Sequence, residues 1–294
     1  MGAAGSDQRL RSGRSGSERS KRSSSVDRFV GRANEIAALT SALPATRPTG
    51  AVLWTVAGPA GIGKTTGPSA RSSTDRQELA QVAVGSGHRV VWGQCWDEAG
   101  TPPYWPWTQV IRQLRGNPIG VDLGSFVQPD AGPVDRFALF DATAVELRAA
   151  AAEVPLVVVL DDLHHSDSLS LMLTRFVLAH LSDAPLLVVA AYRPNEAAAR
   201  SDIIGHLAAL RDDANELNLS GLDLDGVREL VGDTLRADDV HTLTGGNPLF
   251  VEQIVRSAEC PVAGTSSAPV ASAGHAALLS AVTARLASVD AEVL

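Results

Sequence analysis

An apolar run that empties into a glycine-rich turn constrains this chain more than any other feature. Residues 51–58, AVLWTVAG, form a continuous apolar stretch of strand length, and Gly58-Pro-Ala-Gly-Ile-Gly63-Lys64-Thr65 continues from its last residue. A strand buried on both faces reads this way, and such strands belong to parallel sheets covered by helices. HRVVWGQCW (88–96), VPLVVVLDDLHH (154–165) and APLLVVAAYRPNE (184–196) repeat the pattern, and NELNLSGLDL (215–224) is a weaker fifth run. Helical spacing appears in VGRANEIAALTSAL (30–43) and over Trp105–Leu114, Asp135–Ala152, Ser166–Leu181 and Ala197–Leu210. Strands alternating with helices predict an α/β fold, a three-layer parallel sheet of about five strands. Beyond residue 222 the apolar strands stop, and short helical patterns predict a small C-terminal helical lid.

The turn itself has a chemistry. Gly58, Pro59, Ala60, Gly61, Ile62, Gly63, Lys64 and Thr65 satisfy the P-loop pattern in full, directly after a strand. The glycines let backbone amides from Gly61 to Thr66 turn inward around phosphate oxygens, and a helix N-terminus beneath adds partial positive charge. Lys64 is placed to reach the β- and γ-phosphates and Thr65 to ligate Mg²⁺. The expected fold is therefore that of a P-loop NTPase, with ATP and Mg²⁺ as its ligands.

The helix that should follow is interrupted in sequence. Pro68 falls inside its second turn, where the ring meets the carbonyl of Lys64 at a cost of roughly 3 kcal/mol, with about 1 more for Gly67. A fresh start is written at Thr74-Asp-Arg-Gln77, a capping-box pattern. Every donor of the phosphate cradle precedes Pro68, and helix-end electrostatics reside mostly in the first turn. The reading predicts nucleotide binding that survives but is weakened.

The third apolar run ends in Asp161 and Asp162. Asp161, at a strand's carboxyl end, suits Mg²⁺, which takes hard oxygen ligands. Asp162 then orients or deprotonates an attacking water. Arg193 ends the next run, where a cation can report on a γ-phosphate; a plain surface arginine is the other reading. His164 and His165 are adjacent, so their side chains are expected to diverge, and no third ligand is near in sequence; they are read as structural.

Charge divides the chain. The net charge is −8, yet residues 1–28 alone carry +4, leaving −12 for the remainder. RSGRSGSERSKRSSS has no apolar residue to bury, so residues 1–28 are expected to be a disordered basic tail. The acidic body argues against sequence-specific DNA binding by the folded part. Cys95 and Cys260 form no CxxC pair, the pattern of thiols in a cytoplasmic protein. No apolar run approaches the ~20 residues that span a bilayer, and no secretory signal opens the sequence.

Taken in order, FVGRANEIAAL, GPAGIGKTT, VVWGQCWDEAGTPPYWPW, VVVLDDLHHSD, LLVVAAYRPNE and TGGNPLFVEQI resemble an AAA-type ATPase module with an origin-recognition-like core. This module occurs in STAND regulators, the signal-transducing ATPases that include large ATP-binding LuxR-type transcription activators. The resemblance covers about 29–257. It implies an ATPase core at 29–222 and a lid at 223–258, with 259–294 a linker and the start of a truncated C-terminal helical region. It also implies that Val30, Gly31 and Arg32 lie near the adenine, that Pro248 caps the base, and that slow hydrolysis drives a switch acting through protein partners or self-association. A nucleotide-binding module without turnover and a DNA-loading ATPase of the origin-recognition type are the alternatives.

Overall fold

Two strands, β3 (Leu156–Asp161) and β4 (Leu186–Tyr192), are buried along their whole length, as their unbroken apolar runs require. The computed structural model describes residues 31–44, 50–63, 75–96, 100–116, 133–232 and 235–259. Together with β1 (Val52–Ala57), β2 (Arg89–Gln94) and β5 (Asn215–Asn218), these strands form a five-stranded sheet of order β2-β3-β4-β1-β5. Every pairing in it is parallel.

The pleat sorts the apolar residues onto two faces. Leu156, Val158, Leu160, Leu186, Val188 and Ala190 share one core with α3 (Trp105–Leu114), α4 (Pro133–Glu153), α5 (Ser168–His180) and α7 (Ile204–Asp212). Val157, Val159, Leu187 and Val189 share the other with α1 (Ala33–Ser41) and α2 (Asp75–Gly85). On the first face the fully buried Trp107 donates its indole N–H to Thr174 Oγ1 (3.1 Å) and the Ser170 carbonyl (3.2 Å), locking α3 to α5. Cys95 lies in this core as a free thiol, and burial pushes its ionisation well above the usual thiol range.

The outer edge of β2 is closed by side chains. Gln113 of α3 accepts from Trp92 N (2.9 Å) and donates to Trp92 O (2.6 Å), and Gln109, one turn earlier, donates to Gln94 O (2.8 Å). Two glutamine amides thus take the place of a sixth strand and protect an edge that would otherwise template pairing.

Three expectations change. The run at 154–165 is strand only to Asp161; Asp162 adopts φ 53° and ψ 44°, and Leu163–His165 form a single 3₁₀ turn. Aspartate is one of the few side chains that tolerate this left-handed conformation. The single helix expected over Ala197–Leu210 is two, α6 (Pro194–Ala198) and α7. Between them Arg200 turns back to bond Asp202 and the carbonyls of His164 and Ser166. The fifth run is strand only at 215–218; among the described residues β5 pairs with β1 alone and is largely exposed, so nothing requires it to be apolar.

Beyond β5 come α8 (Leu224–Val231), α9 (Ala237–Thr244) and α10 (Pro248–Glu259). They pack around a small core of their own built from Leu222, Val227, Val231, Val240, Val251 and Ile254. Aspartate caps open two of the helices: Asp223 accepts from Gly226 N (2.8 Å) for α8 and Asp167 from Ser170 N (2.8 Å) for α5, each satisfying an orphan amide of the first turn.

The expected basic tail, the Gly67-Pro68 interruption, Thr74 of the capping box, Cys260 and the segments beyond it lie outside the described residues. Among the described residues no helix is long and apolar enough to cross a membrane.

Candidate functional site

Because all five strands run the same way, their carboxyl ends share one edge, and ligands of open α/β sheets bind in the crevice beyond it. Ala57, the last residue of β1, is level with Tyr192 of β4, and Leu160 of β3 with Ala190. Gly58, Asp161 and Arg193 therefore emerge together. Asp161 stands two strand spacings, roughly 10 Å, from β1. Of the expected phosphate loop, Gly58, Pro59, Ala60, Gly61, Ile62 and Gly63 are described, while Lys64, Thr65 and Thr66 lie outside the described residues, as does Val30.

The loop is held from two sides. On one, the buried guanidinium of Arg32 donates through Nη2 to Ile62 O (3.2 Å) and Ser220 O and through Nη1 to Glu35 Oε1 (2.9 Å). Arg32 thus ties the segment before α1 to the phosphate loop and to the link between β5 and α8. Gly31, beside it, lines an open cleft of about 780 Å³ with Ile36, Ala37 and Glu229.

On the other side the loop meets the start of α10. Asn247 Nδ2 donates to Ala60 O (2.9 Å), and Leu249 N donates to Gly61 O (3.3 Å). Pro248, between them, is the first residue of α10. Gly61 has φ +70°, and a Cβ there would come within 2.9 Å of Leu249 and 3.0 Å of Asn247 Oδ1, so only glycine permits this approach. Sequence reasoning named Pro248 and missed Asn247. The signal was in the GGNP stretch, but a contact spanning 187 residues is invisible to local pattern.

Asn247→Ala removes the Ala60 bond and the Asn247 Oδ1 acceptor that receives Leu249 N (3.1 Å). The expected cost is about 1–3 kcal/mol. Amide exchange should quicken in α10 while β3 and β4 keep their protection; unchanged exchange in α10 would exclude the latch.

The acidic pair is asymmetric. Asp161 is 4% exposed and its Oδ1 accepts from Asp162 N at 2.7 Å, whereas Asp162 is more open. Arg193 Nη1 donates to Glu196 Oε1 (2.8 Å). Its Nε is buried with no hydrogen-bond partner among the described residues.

His164 and His165 do not diverge as expected. The tight turn after the left-handed Asp162 brings their rings to 4.1 Å between centroids. Glu196 Oε2 stands 2.9 Å from His164 Nε2 and 3.9 Å from His165 Nε2. Burial alone would raise the Glu196 carboxyl, but the Arg193 hydrogen bond and the charges of Arg193, His164 and His165 hold it below the usual carboxylate range. Sequence reasoning missed Glu196, which the fold delivers from the following strand's end.

A parallel sheet of this order, with a glycine-rich loop after β1 and paired aspartates at the end of β3, defines the P-loop nucleoside-triphosphatase class. The sequence profile of the AAA ATPase domain family matches residues 28–189, and the chain belongs to that family. No curated protein matches it. Among solved structures, the ORC2 protein of Aeropyrum pernix in its ADPNP–ADP complexes is similar, at 15% identity and a TM-score of 0.52 over 90% of this chain and 71% of that one. The ADP form of the same protein gives 16% identity and a TM-score of 0.46 over 87% and 69%. At such identity the likeness to the first is one of fold.

Proposed function

We propose that this chain is the ATP-binding switch module of a STAND-type regulator, hydrolysing ATP slowly, with its core at 29–222 and its lid at 223–258. The observation that carries the reading is the attachment of Asn247 and Leu249 to Ala60 and Gly61. A lid bonded to the phosphate loop itself senses any change in how that loop holds its ligand, and domain closure then follows nucleotide state through differential contacts. The family supplies the nucleotide-binding class.

In this reading Lys64 and the amides of Gly61 to Thr66 hold the phosphates, and Gly31, Arg32 and Pro248 take the adenine side. Thr65 and Asp161 hold Mg²⁺, which when bound neutralises phosphate charge. Asp162 receives the proton of the attacking water, and Arg193 meets the γ-phosphate. The cleft beside Gly31 is of a size that takes small ligands. The net −12 of residues 29–294 counts against DNA as the partner; protein partners or self-association would carry the output.

The test is magnesium-dependent uptake of labelled ATP by the full chain, with Lys64→Ala as comparison. Saturable uptake by the natural chain, weakened about tenfold or more in the variant, supports the reading, since charge-assisted contacts to phosphate contribute ~1.5–3 kcal/mol. No uptake at millimolar ATP would overturn it.

A further inference from the structure

We propose that His164, His165 and Glu196 form a binding site for a divalent transition-metal ion of the zinc class, separate from any magnesium carried with the nucleotide. The three side chains come from two connections: the histidines from the 3₁₀ turn after β3, the glutamate from the first turn of α6 after β4. Their candidate ligand atoms lie within 4.8 Å of one another. Tetrahedral zinc binds histidine nitrogen and carboxylate oxygen at about 2.0–2.1 Å, which places its ligands roughly 3.4 Å apart. The observed separations of 2.9 Å and 3.9 Å from Glu196 Oε2 bracket that value. Small rotations of the partly exposed His165 and Glu196 close the difference around the buried His164.

The surroundings suit a ligand set. Glu196 presents Oε2 to both histidines while Oε1 accepts from Arg193 (2.8 Å), so the carboxylate is aimed by an outer hydrogen bond, as ligating carboxylates are. Arg200 grips the turn itself, donating to His164 O (3.4 Å) and Ser166 O (3.2 Å). Water can fill the fourth position of such a three-ligand tetrahedral site. Two imidazoles exclude the harder cations as preferred occupants: magnesium and calcium take oxygen, whereas zinc, cobalt, nickel and copper accept imidazole. An ion here would tie the turn after β3, which carries Asp162, to the segment after β4 that carries Arg193, joining the ends of two adjacent strands.

The experiment uses the tag-free full chain, stripped with a chelator and titrated with Co²⁺ without nucleotide. A single saturable equivalent is expected, with the visible absorption of four-coordinate cobalt, displaced by Zn²⁺ and not by excess Mg²⁺. His165→Ala and Glu196→Gln, both at partly exposed side chains, should each weaken Co²⁺ binding about tenfold or more. Lys64→Ala should leave it unchanged, so loss of nucleotide binding and loss of metal binding are separable results. Absence of saturable uptake by the folded natural chain, or affinity in both site variants unchanged from that of the natural chain, would overturn the proposal and leave the cluster an ion-pair network.

Discussion

Asp161→Asn is expected to cut steady-state phosphate release roughly 10²–10³-fold, the several kcal/mol that a correctly held cation contributes at a phosphoryl group. The substitution is nearly isosteric. An asparagine oxygen still accepts from Asp162 N, as Asp161 Oδ1 now does at 2.7 Å, so the fold at the end of β3 is retained and only the charge is lost. Nucleotide uptake in the absence of magnesium should stay within about threefold, because phosphate-loop amides dominate that state. Asp162→Asn provides the companion measurement. Asp162 sits at φ 53°, and asparagine tolerates that conformation as readily as aspartate. A fall in its turnover therefore reports chemistry and not strain, and Mg²⁺-ATP affinity should be kept where Asp161→Asn loses it. Phosphate release from Asp161→Asn within about threefold of the natural chain would remove Asp161 from the metal's coordination.

How legible such a site is depends on what each residue's surroundings demand of it. Leu156–Asp161 and Leu186–Tyr192 are covered on both faces, so the positions before Asp161 and Tyr192 had to be apolar and the sequence could not hide the strands. Asn215–Asn218 pairs on one side only and is mostly exposed, so its pattern is faint and its length was overread. The glycines of the loop after β1 were readable because the positive φ at Gly61 and Gly63 admits few residue types. The remainder lay in tertiary contact. Nothing local tells that Asn247 reaches Ala60, that Arg200 breaks a helix by bonding the turn after β3, or that Glu196 arrives between two histidines. Adjacent histidines diverge in a regular element, and the left-handed Asp162 that gathers them here leaves only a weak trace, a second aspartate where the strand ends.

Gly246→Ala is expected to lower the melting temperature by roughly 6–12 °C, corresponding to about 3 kcal/mol for a domain of this size. Gly246 lies at φ +73°, and its backbone is in direct contact with that of Leu222: Leu222 N donates to Gly246 O at 2.8 Å. A Cβ would overlap the Leu222 carbonyl oxygen and stand 2.8 Å from Leu222 N. These are backbone atoms at the junction where the chain leaves β5 for the lid, so no side chain can swing aside to relieve the overlap. Gly245→Ala isolates the cause. Gly245 is also left-handed, at φ +59°, but a Cβ there meets nothing within 4 Å. Its variant suffers only the left-handed penalty of about 1–2 kcal/mol, a fall of roughly 2–8 °C. Proteolysis at low enzyme concentration should release the segment after Leu222 from the Gly246 variant first, because the same overlap pushes Asn247 away from Ala60. Equal melting temperatures for the two variants would mean that the junction yields freely, and a lid so loosely joined could not transmit the state of the phosphate loop.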